Sequence, residues 1–137
     1  MDAKEKLDYW VDKAEYDLVT AEALFGSGRW LYVVFMCQQA IEKLVKGLYI
    51  IFTNEDPPRI HDITKVLQIY AGKLPNAVSK DQYDLFDRLL SFYLEGRYPE
   101  YLSKASDQVS NTDARELLDQ TKEAYAWLME QLRLSQM

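Results

Sequence analysis

Cysteine and histidine each occur once in the chain, as Cys37 and His61. A single cysteine excludes an internal disulfide, and one Cys with one His offers no ligand spacing for a metal site. No long hydrophobic run is present either. The longest, WLYVVFMC, has eight residues, well short of the roughly 20 that a membrane-spanning helix needs. The first ten residues, MDAKEKLDYW, alternate charges and lack the apolar core of a leader, so a cytoplasmic location is expected. Positive charge is in deficit: 16 Lys and Arg stand against 22 Asp and Glu, for a net charge of −6. That balance excludes a general DNA binder, whose affinity rests on a basic field. A nucleotide or RNA role then requires a local basic pocket.

What the chain does have is enough apolar residues for one core. The composition is 48% hydrophobic and 28% charged over 137 residues, the profile of a single globular domain spanning 1–137. A chain of this size buries roughly two-thirds of its unfolded surface without staples. Ten Tyr and three Trp give the packing large side chains.

Helical periodicity runs through most of the sequence. Leu7, Trp10, Ala14, Leu18, Ala21 and Phe25 are spaced by threes and fours, which predicts an amphipathic helix ended by GSG at 26–28. From Arg29 to Phe52 the residues are apolar around most of the helix circumference, the mark of a central helix. TNEDPPR breaks the chain, a short helix follows over 62–71, and Ser79 with Gln82 forms a capping-box signature for a fourth helix running to Leu94. The last helix starts near Thr112 and carries Leu117, Leu118, Thr121, Tyr125, Leu128 and Leu132. The expected fold is all-α, an up-and-down antiparallel bundle of four long helices and one short one.

The central helix poses a chemical question in CQQAIEKLVKG, residues 37–47. At 100° per residue Val34, Cys37, Ile41, Val45 and Leu48 share the core face, with Cys37 expected as a buried small hydrophobe. Gln38, Glu42 and Lys46 climb one flank at intervals of four, with Gln39 and Lys43 further round. Two readings stay open. The stripe is an exposed boundary whose Glu42–Lys46 pair contributes a few tenths of a kcal/mol. Alternatively, Gln38 and Glu42 are buried and hydrogen-bond another segment, because leaving them unpaired would cost about 1–3 kcal/mol. His61 and Arg97-Tyr98 are the candidate partners. His61 either packs at a helix start or reaches this stripe. Arg97 either satisfies carbonyls at a helix end or forks onto a phosphate, with Tyr98 stacking on a base.

Four pieces of the sequence, taken in order, carry a family resemblance. They are Trp10, Ala14, Asp17, Leu18 and Ala21 in the first helix, QQAIEKLVKG at 38–47, the HDI at His61, and RYPE at 97–100. Together they resemble the HEPN domain, the small helical domain of higher eukaryotes and prokaryotes. The resemblance implies an up-and-down bundle, often a homodimer, associated with nucleotide binding. It also implies a possible minimal nucleotidyltransferase as partner, some such pairs being toxin and antitoxin. Other members are metal-independent ribonucleases with an Arg, four to six residues, then His. Here Asp56, Glu55 and Asn54 occupy the positions five to seven before His61, and Arg59 is too close. The ribonuclease alternative would have to draw His61 and Arg97 together in an unusual arrangement. The expectation is therefore a non-catalytic protein without cofactor that binds a nucleotide or a partner chain. Lys43, His61, Arg97 and Tyr98 would contact the ligand, Lys46 would add to a local basic patch, and Gln38 and Glu42 would hold the geometry. A third reading makes the stripe a structural network in a dimerisation module.

Overall fold

The computed structural model describes residues 1–96 and 109–137. Within them are five α-helices: α1 (Ala3–Gly26), α2 (Trp30–Thr53), α3 (Ile63–Tyr70), α4 (Lys80–Gly96) and α5 (Asn111–Ser135). No strand occurs among the described residues, and α3 is the one short α-helix there. The all-α expectation holds. None of these helices is long and apolar enough to cross a membrane.

Local chemistry sets the boundaries. Asp2 and Glu5 form a capping box at the start of α1, and Ser110 with Asp113 does the same for α5. Gln82 N–H donates to Ser79 Oγ at 3.1 Å, while Ser79 N–H donates to Gln82 Oε1 at 2.8 Å, the box read from the sequence at α4. Gly28 adopts φ 74°, which lets the chain reverse between α1 and α2 within three residues. At the far end of α2, Asn54 takes the left-handed conformation at φ 58° and returns its N–H to Ile50 O. The short helix begins one residue later than expected, with Asp62 as its cap accepting from Lys65 N–H. It ends at Tyr70, and a 3-10 turn over Ala71–Lys73 carries the chain on.

α2 packs against all four other helices and supplies the centre of the core. Val34, Cys37, Ile41, Val45 and Leu48 are fully buried, as their spacing required. The closest packing is with α1, where Ala14 and Ala21 are fully buried. Gly47 makes that approach possible: a Cβ there would sit 3.0 Å from Trp10 Cβ and 3.4 Å from Leu7 Cδ1. Tyr70 ties α3 to the same helix through its hydroxyl, which donates to Val45 O at 2.6 Å, and its ring stacks on Phe52. With α1 and α3 so fixed against α2, the loop over 54–62 runs beside the polar flank of that helix, where His61 meets Gln38 and Glu42.

Candidate functional site

The flank of α2 that carries Gln38, Glu42 and Lys46 is buried. Their relative exposures are 0%, 5% and 6%. The reading of Glu42–Lys46 as an exposed boundary pair is thereby corrected: the chain approaching α3 covers the flank, which helical spacing alone could not reveal. Gln38 Nε2 donates to the main-chain oxygen of His61 at 2.9 Å. Glu42 receives Lys46 Nζ at 3.1 Å on Oε2, and His61 Nδ1 lies 3.1 Å from Oε1 and 3.2 Å from Oε2. A carboxylate beside an ammonium only accepts, so His61 Nδ1 carries the proton in this contact. His61 thus reaches the stripe, and the cap of α3 is Asp62.

Lys43 lies further round α2, on the side of α1. Its ammonium pairs with Asp17 of α1 at 2.5 Å, in a partly buried position. Asp17 and Trp10, noted in the sequence only within the family pattern, therefore work as a positioning carboxylate and as packing against Gly47. Arg97 and Tyr98 lie outside the described residues.

These groups border a cleft of about 630 Å³ between the first half of α1, the middle of α2 and the loop over 54–62. Tyr9 and Trp10 form its α1 wall, Pro57, Pro58 and Arg59 its loop wall, and Glu42, Lys43 and Lys46 its floor, with His61 at the junction. Lys6 also lines it and bonds Asp56 at 2.7 Å, which ties the loop to α1. Four cations, Lys6, Lys43, Lys46 and Arg59, face two carboxylates, Glu42 and Asp56, an excess of two. Counting Asp17 behind Lys43 leaves an excess of one, on a chain of net charge −6. Arg59 makes no hydrogen bond or ion pair among the described residues. The sequence singled out neither Arg59 nor Lys6 as a site residue. The signal available was a cation two residues before the lone histidine in a proline-walled loop.

Cys37 is fully buried in the core face, and burial pushes its thiol up to about 12 despite the Thr121 hydroxyl beside it. It faces the bundle centre and takes no part in the cleft. Among the described residues no cluster of His, Cys, Asp and Glu is placed to hold a metal ion.

The comparisons with known proteins bear on the fold. The HEPN domain matches residues 7–132. The chain belongs to the HEPN family. Among solved structures, TT1696 from Thermus thermophilus is similar, with a TM-score of 0.75 and 25% identity over 92% of this chain and 98% of that one. ST0689, an archaeal HEPN homologue, shares the fold at a TM-score of 0.70 and 23% identity, over 91% of this chain and 96% of that one. No curated protein matches the chain. Both solved structures are matched over nearly their full length, so the similarity is to their whole fold.

Proposed function

We propose that this HEPN protein is a non-catalytic binding protein whose ligand is a nucleotide held in the cleft between α1, α2 and the loop over 54–62. One observation carries this reading: a local excess of cations beside aromatic rings on an otherwise acidic chain. Arg59 and Lys43 suit phosphate oxygens, Arg59 as a planar fork and Lys43 as a point charge. Tyr9 and Trp10 offer ring faces and edges to a base. Gln38, Glu42 and Lys46 are too deeply buried to be the main contacts, and they hold His61 and its loop in place.

Isothermal titration with ATP, with and without magnesium, tests the reading. Saturable binding is expected, weakened at least tenfold by Arg59→Ala, the loss of one charge-assisted bond worth roughly 1.5 kcal/mol or more. Absence of heat up to millimolar ATP overturns it.

A partner chain is the second reading, and the outer face of α1 favours it. Tyr9, Tyr16 and Val19 are 52%, 75% and 59% exposed on that helix, and Tyr9 borders the cleft. A minimal nucleotidyltransferase is the partner this reading proposes, with the pair acting as toxin and antitoxin and the HEPN chain as a homodimer. Co-purification of the two chains, lost on Tyr16→Glu, supports it, and separate elution of the two chains counts against it.

A further inference from the structure

The ring of His61 is held by one nitrogen and open at the other. Nδ1 donates to Glu42, whose carboxylate also receives Lys46, one helical turn on. Both the Glu42 and Lys46 side chains are buried, whereas the His61 side chain is 46% exposed and lines the cleft. The main chain at His61 is pinned as well, by Gln38. The imidazole is thus fixed in place and in tautomer, and the nitrogen free to meet a ligand is Nε2. With Nδ1 committed to the carboxylate, a neutral ring presents at Nε2 an acceptor, and only a protonated ring presents a donor.

We propose that His61 is a proton-linked anion contact: an anionic group entering the cleft binds together with a proton at Nε2. This rests on the nucleotide reading of the same cleft and names how that site responds to pH. The surroundings of the ring favour it. From α2, Lys43 and Lys46 face the site, the one paired with Asp17 and the other with Glu42. From α1 comes Lys6, held by Asp56 of the loop. The loop adds Arg59, and Asp62 is occupied capping α3. α4 contributes the Tyr93 ring, tilted against the imidazole at 5.6 Å. Every carboxylate among these is already matched to a cation or a backbone N–H, so a proton at Nε2 adds to the positive side of the cleft. An arriving phosphate supplies the missing acceptor. Proton and anion then strengthen one another, by the reciprocity of linked binding. A ligand that offered Nε2 a donor, such as the exocyclic amine of a base, would instead oppose protonation.

The test is titration of the intact protein with ATP at pH 6, 7 and 8, in buffers of different ionisation enthalpy, so that protons taken up per ligand are counted. Affinity is expected to strengthen by about fivefold between pH 8 and pH 6, the lower end of the usual coupling range, with net proton uptake at pH 7. His61→Gln keeps the backbone carbonyl used by Gln38 and is expected to bind without that pH dependence. The difference between the two proteins removes the proton uptake of ATP itself. A second probe, 3′,5′-cyclic AMP, has a phosphodiester that does not titrate in this range, so its proton uptake by the wild type needs no variant. Uptake by the wild type with either probe, absent in His61→Gln where that protein is folded, supports the proposal. Binding with no more uptake by the wild type than by His61→Gln, for both probes, overturns the proposal and leaves the nucleotide reading standing. No binding of either probe overturns both.

Discussion

Glu42 and Lys46 form an ion pair one turn apart on α2 with side chains only 6% and 8% exposed, their charged atoms 3.1 Å apart. Pairs at this spacing are usually solvated surface features of small value. Burial reverses the accounting. Two charges have been taken from water, and each is tolerable only while the other is present.

Replacing Glu42 by Gln is therefore expected to cost about 3–5 kcal/mol, because it leaves the Lys46 ammonium buried without a counter-charge. Replacing both residues, with Glu42→Leu and Lys46→Met, is expected to recover most of that loss. Thermal unfolding followed by circular dichroism measures both. A Glu42→Gln variant as stable as the wild type would show that water reaches the ammonium.

Gln38 is fully buried and spends its amide on His61 O, while its own oxygen has no partner among the described residues. Gln38→Ala is expected to cost about 1–3 kcal/mol by leaving the His61 carbonyl unmatched. Hydrogen exchange should then accelerate through residues 54–62 more than in α5. Uniform acceleration across the chain would mean that the bond does not hold the loop.

Gly47→Ala places a methyl group 3.0 Å from Trp10 Cβ, an atom that moves only with the α1 backbone. Overpacking of about 1–3 kcal/mol outweighs the roughly 1 kcal/mol gained in helix propensity, so a net loss is expected. Gly72→Ala, with nothing within 4 Å, is the control and should leave stability unchanged or slightly raised. Denaturant midpoints at constant slope distinguish the two.

Alkaline conditions should destabilise the protein through its core. Burial raises Cys37 to about 12 and Tyr70 well above its usual value, and it raises half-buried Tyr125 to about 12 with Glu15 and Asp12 adding to the effect. A group whose folded pKa is raised contributes fully below its unfolded value, and the contribution fades as pH climbs toward the folded one. Stability should hold to about pH 9, the ordinary Cys37 value, and fall steadily above it. A thiol reagent at pH 8 should label Cys37 only after denaturation, and rapid labelling of the native protein would contradict its burial.

Much of this architecture was legible in the sequence. The wheel of α2 placed Val34, Cys37 and Ile41 in the core, and Ser79 with Gln82 marked the start of α4, because periodicity and capping are properties of neighbouring residues. The cleft was legible only in part. Gln38, Glu42 and His61 stood out as polar groups in apolar company, yet nothing in their spacing decided whether a loop would cover them. Lys43 finds Asp17, and Lys6 finds Asp56, across separations of 26 and 50 residues. Such pairings follow from how helices dock, and no local pattern encodes them. Arg97 and Tyr98, ligand contacts expected from the sequence, lie outside the described residues.

The three-residue reversal at Gly28 has a further consequence. Because it sets α1 directly against α2, every described residue that lines the cleft falls within the first 61 positions. The cleft wall and the outer helix α5 are thus encoded in separate stretches of chain. Substitutions in α5 can drift, trading one core contact for another, while the chemistry of the amino-terminal hairpin stays as it is. A relative that keeps this hairpin, the loop after it and the ring at Tyr93, and rewrites α5, would carry the same cleft on a different scaffold.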